Sequence, residues 1–293
     1  MVKFIEILGF IFLGLIQGLT EPLPISSKGH VILFNNIFGI IKGGELDIIF
    51  FLAIVHLASL VAIIAIFWDK ITTLLTATWN YFIKKEKTQM NHAYARYFVL
   101  LLIAFAVFTP IAFILGETIA PKLFGDSTLV LAIGYLITSV LLLSSDFFNF
   151  PQFKTFKDIR LPDAITIGLA QVIAIIPGAS RSGTTLIAGM SRNLDRESAI
   201  DFSFFLFIPT VLGANVYYIL KALTGGFIFN PEMTIPYIFA FITSTIATFF
   251  SFKLFIYSVK SKKLYFFAIY TLILALLLLW NPSGLFDGGF FAA

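Results

Sequence analysis

The sequence predicts an all-α polytopic membrane protein, and three observations carry that prediction. Hydrophobic residues make up 59% of the 293 and charged residues only 12%, against about 25% charged in an ordinary soluble chain. Mean hydropathy is +0.96, and several apolar runs reach the roughly 20 residues a helix needs to cross the hydrocarbon core. Two of the apolar segments are interrupted by clusters of proline, glycine and hydroxyl residues. Runs of this length exclude the short alternating segments of an outer-membrane barrel.

Six segments read as plain spanning helices, at about 48–68, 95–116, 127–146, 201–222, 236–259 and 263–280. The first interrupted segment, about 4–40, is broken by QGLTEPLPISSKGH (17–30). The second, about 161–192, is broken by IPGASRSGTT (176–185). Each flanking piece is too short for a full span. Irregular backbone at membrane depth has to be buried in protein or line a wet cavity, so both segments are expected to be re-entrant helix-loop-helix hairpins. The single lysine before the first apolar run (Lys3) and the lack of a small-residue cleavage site predict no cleavable signal peptide. With no cysteine, disulfides and thiol-based metal or redox sites are excluded.

Shifting the sequence against itself by 154 residues aligns Gly14, Leu15 and Gln17 with Gly168, Leu169 and Gln171, and Ser26 and Gly29 with Ser180 and Gly183. The alignment continues without a gap from Asp47, Phe50, Phe51, Leu52 and Ile54 to Asp201, Phe204, Phe205, Leu206 and Ile208. Three spans separate the hairpins, and an odd number inverts the second copy. The prediction is a single membrane domain of two inverted repeats, about 1–146 and 160–280, with the two broken elements meeting near the midplane. Lys70, Lys84–Lys87, Arg96, Lys154–Arg160, Arg192, Arg196 and the Lys253–Lys263 group fall on one side of this topology. Only Lys3, Lys28, Lys42, Lys122 and Lys221 fall on the other. The positive-inside rule makes the first side cytoplasmic, placing the chain in the inner cell membrane with both termini and the mouth of the first hairpin outside. The net charge of +4 belongs to basic loops beside anionic lipid and implies no nucleic acid.

Ionisable groups at membrane depth are costly and mark functional sites. Glu21 follows Gln17 by one helical turn, and the pair offers hard oxygen ligands suited to Mg²⁺ or Ca²⁺. The structural alternative for Glu21 is a cap or a pair with Lys28. In PGASRSGTT, the N–H groups of a helix start and the hydroxyls of Ser180, Ser182 and Thr185, with Gly178 and Gly183, make an anion cradle. Arg181 adds a planar fork for phosphate oxygens, while the glycines alone would also serve close helix packing. Ser26, Ser27 and His30 supply hydroxyls and a titratable base within one turn. His92 reads as solvated, His56 as a packed mid-helix histidine, and Asp47 and Asp201 as helix N-caps. Together the set suits phosphoryl chemistry on a lipid phosphate or diphosphate. A transporter or flippase for a polyprenyl phosphate is the rival, because broken helices in inverted repeats also build transporters.

QGLTEPLPISSKGH and PGASRSGTT, with FSFFLFIPTVLGA following, closely resemble the undecaprenyl-diphosphate phosphatase, or bacitracin-resistance, family over essentially the whole chain. The resemblance implies an integral membrane enzyme that hydrolyses the C55 isoprenyl diphosphate to the monophosphate carrier used for cell-wall polymers, from a site open to the extracytoplasmic side. It implies a metal-binding pair at Gln17 and Glu21, the serine pair Ser26 and Ser27, a functional His30 and a phosphate-gripping Arg181. Ser180, Ser182 and Thr185 complete the second motif. Gln17 stands where some members carry glutamate, leaving one carboxylate in place of two. Ser27 or His30 as a covalent nucleophile and direct attack by water all fit the motif. The expected partners are the isoprenyl diphosphate, membrane lipids and a second copy in a homodimer.

Overall fold

The structure, a computed structural model, describes residues 4–42, 45–116, 128–148, 150–224, 229–281 and 286. Among them it contains eleven α-helices and no strand. In chain order these are α1 (Phe4–Thr20), α2 (Ser27–Phe38), α3 (Glu45–Ile66), α4 (Trp68–Phe82), α5 (Gln89–Ile114), α6 (Thr128–Phe147), α7 (Leu161–Gln171), α8 (Arg181–Ser191), α9 (Arg196–Thr224), α10 (Thr234–Lys260) and α11 (Leu264–Trp280). Lys3, Lys122 and both chain ends, used above to orient the chain, lie outside the described residues.

Five segments are long and apolar enough to cross a membrane: Leu46–Ile66, Gln89–Ile114, Thr128–Ser145, Arg196–Lys221 and Pro231–Lys260. The sixth expected span is α11, an apolar helix of 17 residues, about 25 Å long at 1.5 Å per residue. The protein is therefore a polytopic helical membrane protein. Large apolar side chains face outward along these helices, among them Phe113, Val140, Phe250 and Leu276, as a lipid-facing surface requires.

The broken segments form helix pairs. α1 has 17 residues and α2 has 12, while α7 and α8 have 11 each. At about 1.5 Å per residue α2, α7 and α8 fall well short of the ~30 Å of a hydrocarbon core. The prolines Pro22 and Pro24 lack an N–H and end α1, and α2 restarts at a Ser26 cap whose side chain accepts from Gly29 N. α8 restarts in the same way, with Ser180 accepting from Gly183 N at 3.1 Å.

α1 lies against α10 and α7 against α5, while α3 meets α9 and α6 meets α11. Gly14 and Gly168, aligned by the 154-residue shift, sit at the equivalent contacts. A Cβ on Gly14 would stand 2.5 Å from Ala240 O, and one on Gly168 would stand 2.5 Å from Ala104 O. Small residues at these positions let backbones touch where lipid supplies no hydrophobic drive for association.

Two readings are corrected. Neither Asp47 nor Asp201 caps a helix. Asp47 lies inside α3, which starts at Glu45. α9 starts at Arg196, its cap bond runs from Ser198 N to Asp195 at 2.7 Å, and Asp201 instead accepts from Lys70 at 2.7 Å. The interval after α3 is also not all loop. α4 packs Leu74 and Ala77 inward and leaves Trp68, Trp79 and Phe82 exposed, the disposition of an interfacial helix. Its threonines and charges hid it from a search for continuous apolar runs.

Candidate active site

The two interrupted stretches meet. A Cβ on Gly29 would lie 3.0 Å from Gly178 Cα, and one on Gly183 would lie 3.4 Å from Pro24 Cβ. Ser182 Oγ donates to Leu23 O at 3.1 Å, tying one motif to the backbone of the other. Gly178 adopts φ +92, a conformation open to glycine but strained for other residues, and packs onto the α6 backbone at Leu131. Ser180 N and Gly178 O both bond Thr138 Oγ1 of α6.

Glu21 is the centre of the site and is buried, with 6% of its surface exposed. Its Oε1 accepts from Arg181 Nη2 at 2.9 Å. Its Oε2 accepts from Ser27 Oγ at 2.5 Å and Gln17 Nε2 at 2.6 Å, with His56 Nε2 of α3 at 3.5 Å. The cation paired with Glu21 is thus Arg181, 160 residues away, and not Lys28. Arg181 also lies over the Phe207 ring, 4.0 Å from its centroid, a cation–π contact that holds the guanidinium flat. Its Nη1 is buried without a hydrogen-bond partner, as is Gln17 Oε1. A buried charged donor left unpaired is costly, so Nη1 is a natural place for an anion's oxygen.

His30 is placed differently from the sequence expectation. Its Nδ1 lies 2.7 Å from Ser26 O, which can only accept, so Nδ1 carries the proton. Nε2 faces the Tyr270 hydroxyl at 2.8 Å, and Tyr135 Oη lies 3.1 Å from Nδ1. No hydrogen bond joins His30 to Ser27 among the described residues; the Ser27 hydroxyl goes to Glu21 instead. His30 clamps the carbonyl of Ser26, whose φ of 68 is rare for a residue with a side chain. The imidazole therefore sits behind the serine turn and fixes its shape.

The cradle residues are mostly committed to the loop itself. Ser26 and Ser180 cap their own helices, Ser182 holds Leu23, and Thr185 bonds Arg181 O and Ser203 Oγ. They shape the turn that aims Arg181. The sequence assigned no site role to Tyr135, Thr138, Phe207 and Tyr270, and it read His56, which the structure sets 3.5 Å from Glu21, as a packed mid-helix histidine. Only His56 carried a signal, as an ionisable group inside an apolar run.

The donors around Glu21 fit a hard divalent cation: a carboxylate, an amide oxygen with no hydrogen-bond partner and a hydroxyl. No group of three or more His, Cys, Asp or Glu converges among the described residues, so a cation here would rely on amide, hydroxyl and ligand oxygens as well.

Residues 10–277 match the family model described as bacitracin resistance protein BacA. The chain belongs to this family. It is similar to the undecaprenyl-diphosphatase of Oceanobacillus iheyensis, 36% identical over 278 residues covering 94% of this chain and 97% of that protein. It is 33% identical to undecaprenyl-diphosphatase 1 of Bacillus licheniformis over 280 residues, 94% of this chain and 98% of the relative. Undecaprenyl-diphosphatase 1 of Shouchella clausii is 34% identical over 275 residues, 93% and 95% of the two chains. The family match includes both interrupted stretches, 17–30 and 176–185.

Proposed function

We propose that this BacA-family protein is a membrane phosphatase that hydrolyses undecaprenyl diphosphate to undecaprenyl phosphate and inorganic phosphate. The observation that carries the mechanism is one carboxylate holding both the serine hydroxyl, at 2.5 Å, and the arginine, at 2.9 Å. Nucleophile, base and phosphate-binding cation are then assembled before substrate arrives, which is where phosphoryl transfer gains most of its rate.

The terminal phosphate enters beside Arg181, whose fork turns from Glu21 to the phosphate oxygens and whose Nη1 gains a partner. Glu21, relieved of the arginine, takes the Ser27 proton as Oγ bonds the terminal phosphorus. The bond from that phosphorus to the bridging oxygen breaks, and the lipid monophosphate leaves. Glu21 gives the Ser27 proton to the bridging oxygen as the lipid monophosphate departs. A carboxylate again, it takes a proton from the water that attacks phosphorus. The bond from phosphorus to Ser27 Oγ breaks, phosphate is released and the proton returns to Oγ. His30 holds the Ser26–Ser27 turn in register and is a positioning residue in this scheme. Mg²⁺ or Ca²⁺ held by Gln17 and Glu21 would neutralise diphosphate charge when bound.

The topology read from the loops puts the hairpin pair in two inverted repeats, with the site facing the extracytoplasmic side. Purified protein given a C55 or C15 isoprenyl diphosphate should release phosphate and acquire label on Ser27 under rapid quench. Arg181→Ala and Glu21→Ala should each abolish release. Full hydrolysis by both variants would overturn the site, and absence of release with lipid movement across liposomes would favour transport instead.

A further inference from the structure

α11 is apolar almost throughout, and Ile269 and Ile273 face outward from it. Tyr270 sits between them, half-buried, with a phenolic hydroxyl at membrane depth, where lipid offers it no partner. The hydroxyl turns inward and meets His30 Nε2 at 2.8 Å, its one hydrogen bond among the described residues. Because His30 Nδ1 gives its proton to Ser26 O at 2.7 Å, Nε2 accepts and Tyr270 donates. The two rings also lie nearly parallel, 12° apart with centroids at 5.6 Å.

Tyr135 of α6, fully buried, brings a second hydroxyl to 3.1 Å from Nδ1. α6 and α11 pack against each other, so the imidazole stands in a bracket of two helices far from the serines in sequence. From the bracket the contacts run to Ser26, the residue at φ 68 whose turn precedes Ser27. Ser27 in its turn places Oγ on Glu21 at 2.5 Å. A buried acceptor without a donor is costly, so an Nε2 deprived of the Tyr270 hydroxyl would swing the ring toward another donor and slacken its hold on the Ser26 carbonyl. We infer that Tyr270 is a positioning residue for the phosphatase reaction. It fixes the plane and tautomer of His30, which keeps the Ser26–Ser27 turn aimed at Glu21, and it makes the last helix part of the site.

This inference rests on the phosphatase reading above. Its test uses the purified full chain in detergent and a C15 isoprenyl diphosphate. Tyr270→Phe keeps the ring and its stacking and removes only the hydroxyl. Its kcat should fall about tenfold while KM stays within about twofold of wild type. His30→Asn retains an amide that can donate to Ser26 O but has no Nε2, so adding Tyr270→Phe to it should lower kcat no further. Histidine-¹⁵N spectra without substrate should show His30, assigned through its proximity to the Tyr270 ring, with a protonated Nδ1 and a bare Nε2 whose resonance moves in Tyr270→Phe. Wild-type kcat in Tyr270→Phe, losses that multiply in the double variant, or an unmoved Nε2 resonance would each overturn the inference. So would a wild-type His30 carrying its proton on Nε2, a result that needs no variant to fold. A wild type that releases no phosphate overturns the phosphatase reading and this inference with it, whereas the outcomes before it overturn the inference alone.

Discussion

Glu21 ties together residues from four helices or their turns, and single substitutions around it should have distinguishable effects. Ser27→Ala removes the proposed nucleophile without emptying a large volume, so substrate binding should persist while kcat falls about 10³-fold or more; phosphate release and isoprenyl diphosphate binding measured side by side check this. Arg181→Lys keeps the charge but loses the fork and the flat stack on Phe207. Its kcat should fall about 10²–10³-fold, with thermal stability closer to wild type than that of Arg181→Ala, which strands the buried Glu21 carboxylate. These assignments were legible unevenly in the sequence. Glu21 and Arg181 stood out because charge at membrane depth is expensive, and the motif spacing marked Ser27. The division of labour between His30 and Glu21 was hidden, because it depends on which ring nitrogen meets the Ser26 carbonyl.

Helix contacts here use both large rings, as where Phe10 of α1 meets Tyr237 of α10, and direct backbone approach at glycine. Gly14 and Gly168 hold equivalent contacts, α1 on α10 and α7 on α5. Gly14→Ala and Gly168→Ala should each force the helices apart and cost about 1–3 kcal/mol, seen as earlier thermal unfolding in detergent. Gly116→Ala, with nothing within 4 Å of its added methyl, serves as the neutral control. The second hairpin has its own fastening. The buried Asp163 at the start of α7 accepts from Lys154 at 3.1 Å and Arg192 at 2.9 Å, joining the preceding loop to the end of α8. Asp163→Asn should therefore lower the melting temperature more than Arg192→Gln, because the carboxylate is buried while the arginine is 40% exposed. Spans were readable from apolar runs alone. α4 was not, because an interfacial helix is half polar and its threonines resemble a loop.

Across the whole molecule, the 154-residue repeat predicts that two similar halves face opposite sides of the membrane. The chain has no cysteine, so single cysteines report sidedness cleanly. Lys85→Cys should resist a membrane-impermeant maleimide in intact cells and react after permeabilisation. Labelling of Lys85→Cys in intact cells would reverse the orientation drawn from the basic loops.

The sequence by itself determined the class, because apolar runs this long satisfy their backbone in lipid as helices and lack the short alternation of a barrel. It also determined which two stretches break those helices, since proline and glycine act locally. Only the tertiary structure decided what the broken pieces do together. It set Glu21 against Arg181 across 160 residues, turned His30 onto its own turn, and brought His56 of an uninterrupted helix to the carboxylate. Such pairings depend on how helices rotate and pack, and the periodicity of one helix carries no information about the facing side of another.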